Sequence, residues 1–177
     1  MKNKQLRKLV FSALLLAIGY VLPFLTGQIP EIGSMLLPLH IPVLLCGMVC
    51  GWQWGLAVGF VLPLTRSLML GAPPLYPAAV AMSFELATYG LIVALCYKAL
   101  SKKGVAGIYA SLIAAMLAGR AVWGAVQCVL LGLGGKSFTF AAFAAGAVLN
   151  AIPGIIIQLI LIPAIVLVLK KYTKMIE

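Results

Sequence analysis

Six long apolar stretches, separated by short segments rich in Gly, Pro or charge, organise the chain. They run over residues 6–25, 34–51, 54–70, 76–97, 105–131 and 141–169. A helix needs about 20 apolar residues to cross a bilayer's hydrocarbon core, so the pattern predicts six membrane-spanning helices. The breaks differ in chemistry. Thr26–Gly33 carries Pro30 and Glu31, Trp52-Gln53-Trp54 reads as a tight turn, and Gly71-Ala72-Pro73-Pro74 is a strong breaker. Lys98–Gly104 and Gly132–Phe140 carry basic residues. The last stretch is long enough to tilt, or to bend at Pro153 and Pro163. The first begins like a signal peptide, but its apolar run is long and no small-x-small cleavage site follows, so it reads as a true span.

Composition and charge sharpen this picture. The chain is 64% hydrophobic and only 9% charged, with a mean hydropathy of +1.16. A soluble domain is near half apolar and a quarter charged. The 177 residues form one all-α integral membrane domain, residues 1–177. Thirteen Lys and Arg stand against three acidic residues. Ten of the thirteen fall in three clusters: Lys2/Lys4/Arg7/Lys8, Lys98/Lys102/Lys103 and Lys170/Lys171/Lys174. In a soluble protein a charge of +10 would suggest nucleic acid. Here the clusters sit at span ends, as the positive-inside bias requires. Six spans put both termini and Lys98–Gly104 on that cytoplasmic side, with the Trp52–Trp54 turn. Thr26–Gly33, Gly71–Leu75 and Gly132–Phe140, which carries Lys136, then face outward.

The few charges left over are the first candidates for function. An ionised side chain deep in a membrane costs at least a few kcal/mol and seeks a partner, a wet cavity or a ligand. Arg66, Glu85, Arg120, Gln127, Asn150 and His40 all fall in the outer half of the predicted bundle. Arg120, Trp123 and Gln127 share one helical stripe through their i, i+3, i+7 spacing. A guanidinium, a flat ring and an amide on one face suit a small ligand bearing a carboxylate. Glu85 and Tyr89 share a face one turn apart. Plainer roles compete with these. Glu85 and Arg120 can simply pair, Arg66 can snorkel, His40 can be a hydrogen-bonded structural residue, and Asn150 and Gln158 can join helices.

Other patterns are structural or absent. Cys46, Cys50, Cys96 and Cys128 have no His or carboxylate at metal-ligand spacing and read as small buried apolar side chains. Gly47, Gly51, Gly55 and Gly59 recur every fourth residue, which lets the second and third helices approach closely. Ala13-x-x-x-Ala17, followed by Gly19, can be internal packing or a docking face. The chain has no Asp, hence no Ser/His/Asp set, and no phosphate loop, HExxH or paired acids on one span. It therefore reads as a non-enzyme without a cofactor or metal.

Several stretches together resemble a known family: Leu37-Pro38-Leu39-His40-Ile41-Pro42-Val43-Leu44, Gly71-Ala72-Pro73-Pro74, Glu85-Leu86-Ala87-Thr88-Tyr89-Gly90, Ala118-Gly119-Arg120 and Pro153-Gly154. With the length, the six spans and the extended first outer loop, the chain resembles the substrate-binding S-components of energy-coupling factor (ECF) transporters, the prokaryotic vitamin importers. The resemblance covers nearly the whole chain. Ala13-x-x-x-Ala17 matches the small-residue motif by which such subunits dock onto a membrane coupling subunit.

The resemblance implies a multi-pass protein of a prokaryotic cell membrane that binds one vitamin or micronutrient at high affinity. It also implies a coupling subunit and two cytosolic ATPases, with the binding subunit toppling in the membrane. The pocket would be built from Glu85, Tyr89, Arg120, Trp123, Gln127 and Asn150. Thr26–Gly33 and Gly71–Leu75 would form its lid, and Ala13 and Ala17 would face the coupling subunit. A buried Arg favours an anion, and a single Trp on the pocket face argues against a large flavin-like ring. Pantothenate or a nicotinate-type acid satisfies both, whereas full neutralisation of Arg120 by Glu85 would admit a neutral or cationic vitamin. Two other classes stay open: a stand-alone gradient-driven carrier, and a non-transport assembly subunit whose buried polar groups are only structural.

Overall fold

The computed structural model describes residues 2–26, 32, 35–135 and 139–172. The described chain is helical, with no strand among its residues. Helix α1 spans Lys2–Val21, α2 His40–Cys50, α3 Trp52–Leu70, α4 Val80–Leu100, α5 Gly104–Leu133, α6 Phe140–Ala144 and α7 Ile152–Tyr172. Most of the predicted loop Thr26–Gly33 lies outside the described residues, as do Lys136 and Lys174.

Pro and Gly account for most of the ends. After α1, Pro23 withdraws a backbone donor, and the chain tightens into a 3-10 turn over Leu22–Thr26. The helix predicted over 34–51 is regular only from His40 onward. Pro38 disfavours the α region for the residue before it, and Leu37 takes a φ of 51°. Pro42 is tolerated because it falls in the first turn of α2, where its missing N–H has no partner to lose. The hairpin between α2 and α3 is made by Gly51 at φ 98°. Trp52-Gln53-Trp54 is thus the first turn of α3 rather than the turn itself. Gly71 closes α3 in the left-handed conformation, its amide bonded to the Ser67 carbonyl.

The helix predicted over 141–169 is divided. A π-type turn over Ala145–Leu149 follows α6, and the Asn150 amide reaches back to the Ala145 carbonyl at 2.9 Å. Pro153 then has no N–H to give to Leu149, so the earlier helix cannot run on. The new one starts at Ile152.

Helix α2 is the centre of the bundle, with all eleven residues buried, packed by α1, α3, α4 and α7. Close approach depends on small residues. A methyl added to Gly90 would run into the Gly55 backbone, and one added to Gly47 would meet the Gly90 carbonyl. The predicted glycine stripe therefore seats α4 as well as the α2–α3 hairpin. The pairing of Gly55 with Gly90 and of Gly59 with Leu86 makes α3 and α4 antiparallel. Gly107 against Leu100 and Gly119 against the Tyr89 ring do the same for α4 and α5. Lys8 lies beside Gly51 at the end of α2, while Gly154 at the start of α7 packs on Met35 and Leu36 before it. These contacts bring the described members of the three basic clusters to one end of the bundle.

The exterior is apolar and the interior holds the polar groups. Leu14, Ile18, Leu68, Phe84, Ile113, Leu117, Ile156 and Ile160 are exposed, whereas His40, Arg66, Glu85 and Gln158 are buried. A water-facing surface would show the reverse. Three described segments hold helices long and apolar enough to cross a membrane: Lys4–Leu25, Leu75–Leu133 (which contains both α4 and α5) and Ile152–Lys171. At 11 residues, α2 rises only about 16 Å.

Candidate functional site

Glu85 lies in the second turn of α4, on the face turned to α2 and α5. Its side chain is 2% exposed, and Oε1 lies 2.9 Å from Arg120 Nη1. The same oxygen lies 3.4 Å from His40 Nε2. Tyr89, one turn along α4, meets the His40 ring edge-on with centroids 5.0 Å apart. Gly119 makes this possible, since a methyl there would strike the Tyr89 ring. Three helices thus contribute to one buried polar knot: His40 from the start of α2, Glu85 and Tyr89 from α4, Arg120 from α5.

The knot is not self-sufficient. Glu85 Oε1, both ring nitrogens of His40, and Arg120 Nε and Nη2 are buried without a hydrogen bond of good geometry among the described residues, as is Gln127 Oε1 nearby. Each such group forfeits about 1–3 kcal/mol against its hydrated state. Buried polar groups are nearly always satisfied, so a concentration of unmet ones marks a place where a ligand or water completes the structure. Gln158 on α7 is also buried with both amide atoms unmet. A helix-joining role would have given it a partner.

The remaining candidates are spread more widely. Trp123 stacks on Phe143 at 6.2 Å and 30° between ring planes, and Gly146 leaves room for its edge. An open cleft of about 300 Å³ lies beside this pair, between α5 and α6, lined by Ala121, Gly124, Ala125, Thr139, Phe140 and Phe143. Phe143 belongs to both the cleft and the Trp123 stack. Asn150 stands exposed at the break before α7, a consequence of the divided helix. Arg66 is 3% exposed; its Nη1 donates to the Ala72 carbonyl and so ties down the Gly71–Leu75 segment.

His40 is the member that sequence reasoning left outside the site. Only its place in the same half of the bundle pointed to it; its contact with Glu85 depends on how α2 sits against α4. Cys46 and Cys50 are buried in α2, Cys96 is half-buried and Cys128 is exposed. No group of three His, Cys, Asp or Glu side chains among the described residues could hold a metal.

Comparison with known proteins gives one answer. No curated protein and no solved structure matches the chain. A model of the family described as "ECF transporter, substrate-specific component" matches residues 7–166. With that match spanning most of its length, on an apolar helical bundle with a buried polar knot, the chain belongs to the family of substrate-specific components of ECF transporters.

Proposed function

We propose that this chain is the high-affinity substrate-binding subunit of an ATP-driven ECF-type importer, taking up a small vitamin or related micronutrient across a prokaryotic cell membrane. One observation carries this reading. A buried cluster of Glu85, Tyr89, Arg120 and His40 retains donors and acceptors that helix packing leaves unmet. Trp123, Gln127 and Asn150 complete the proposed pocket. The guanidinium favours an anionic substrate such as pantothenate or nicotinate.

The chain passes the membrane six times, with the basic ends of its helices and both termini in the cytoplasm. The second pass combines α2 with the residues leading into it. Nucleotide chemistry belongs to two cytosolic ATPases, joined to this subunit through a membrane coupling subunit. Ala13 and Ala17, both exposed on α1, form the docking face. The Gly71–Leu75 segment covers the pocket from outside.

Paired variants test this. Arg120→Ala weakens ligand binding by roughly two orders of magnitude, the scale of losing a buried charged partner, while Arg66→Ala, which loosens only the Gly71–Leu75 cover, weakens it far less. Calorimetric titration on protein in detergent reads both. Equal affinities for the two variants would remove Arg120 from the site. The contact between His40 and Glu85 favours a second reading, a proton-coupled carrier. Uptake by the isolated protein that collapses with a protonophore would support it.

A further inference from the structure

We infer that residues 139–150 form a hinged gate beside the polar knot, latched by the Trp123–Phe143 stack and swinging about the break at Ala151. This rests on the reading of the knot as the substrate pocket and adds the part of the molecule that moves to admit the substrate.

The segment lies against the bundle without being built into it. None of its described side chains is buried, whereas Ala151, where it ends, is wholly buried. It meets α5 through a reciprocal clasp. The Phe143 ring fills the space that a side chain at Gly124 would need, and the edge of Trp123 does the same at Gly146. Each partner thus supplies one ring and one notch. The ring centroids are 6.2 Å apart, toward the long end of the roughly 4.5–7 Å over which aromatic pairs attract. An open cleft of about 300 Å³ runs beside them. A segment held in this way has few buried contacts to break on opening.

The far end of the segment is made to bend. Its backbone bonds close on a π-type turn, the Asn150 amide donating to the Ala145 carbonyl at 2.9 Å, and those of α7 resume with the Ile155 amide on the Ala151 carbonyl at 2.9 Å. Between them Pro153 has no N–H to continue the ladder. Hinges are a few element-terminal residues of this sort, which absorb a change in φ and ψ. The Gly71–Leu75 cover is tied differently. Arg66 donates to the Ala72 carbonyl, and the Tyr76 hydroxyl, just past the other end, donates to the Leu130 carbonyl. Hydrogen bonds fix that cover, whereas ring packing latches this one.

The latch bears on the site directly. Trp123 follows Arg120 by about one turn of α5, a rise of about 4.5 Å, and Ala121, next to Arg120, lines the cleft. Withdrawal of Phe143 frees one face of the Trp123 ring and widens the cleft along the stretch of α5 that carries Arg120.

Spin labels test the motion without a ligand. They are placed at Ala141→Cys on the segment and Leu68→Cys on α3, both exposed positions, in a background of Cys96→Ser and Cys128→Ser. Electron–electron double resonance should give one narrow distance distribution in that protein and a second, displaced population once Phe143→Ala is added. A cross-link tests what the motion serves. In the same background, without the labels, Gly124→Cys/Phe143→Cys removes the ring that a side chain at Gly124 would meet, and a short bifunctional thiol reagent joins the two thiols. Native mass spectrometry then follows release of the small molecule that co-purifies or, for protein that emerges empty, of whichever of pantothenate, nicotinate, riboflavin, thiamine and biotin binds. Lid opening limits release from a gated site, so the joined protein should release its molecule at least about tenfold more slowly than the same protein left reduced. One unchanged distance distribution after Phe143→Ala, or equal release with and without the cross-link, overturns the inference and leaves the binding-subunit reading standing. A wild-type protein that emerges empty and binds no member of the panel overturns both.

Discussion

Glu85 brings three helices together through one carboxylate. It answers the Arg120 guanidinium and faces His40, all three within the core of the helices. Glu85→Ala would leave Arg120 buried with no counter-charge, a change that costs about 3–5 kcal/mol in comparable buried pairs. We expect a large drop in the thermal unfolding midpoint in detergent. Glu85→Gln keeps an acceptor and should lose less. Equal midpoints for wild type and Glu85→Ala would mean that the ion pair contributes nothing to the fold. Glu85, Tyr89 and Arg120 were legible in the sequence because polar groups are rare in so apolar a chain, and spacing sorts them onto faces. His40 was not, since nothing local says that the start of α2 lies against α4. Asn150 was placed within one continuous helix, whereas the structure sets it, exposed, at the break before α7.

At the scale of elements, glycine decides how near the helices come. Gly55 and Gly90 meet backbone to backbone, with Gly47 against the same carbonyl. Gly90→Leu would force α3 and α4 apart. Overpacking of this kind costs typically 1–3 kcal/mol, and more where the obstacle is backbone that cannot swing away. We expect poor recovery of folded Gly90→Leu in detergent and normal recovery of Gly132→Leu, since nothing lies near a side chain added at Gly132. Comparable yields would show that the α3–α4 contact is not tight in solution. Most helix bounds could be read from apolar runs ended by Gly or Pro. The late start of α2 and the divided last helix could not, because a hydrophobic run carries no mark of where its backbone turns.

For the whole molecule, the basic residues and the exposed faces divide the labour. The described members of the three clusters gather at one end, while the polar knot lies in the other half. This arrangement suits a pocket reached from outside and anchoring charge within. The exposed face of α1 carries Ala13 and Ala17, where longer side chains would obstruct a partner helix without touching the knot. Ala13→Leu and Ala17→Leu should therefore abolish co-purification with the coupling subunit while ligand affinity stays within about twofold. Intact complex from both variants would move the docking face elsewhere.

The amino-acid order alone determined the class of this protein: an apolar helical chain with basic ends and few polar groups inside. Hydropathy and charge act residue by residue, so they add up along a chain without knowledge of its fold. Tertiary structure decided which groups meet. Whether Arg120 and His40 both come near the same Glu85 oxygen depends on the rotation and crossing of three helices. Those are fixed by glycine contacts far away in sequence. The polar cluster therefore rests on the pairing of the helices, although every residue in it is visible in the sequence.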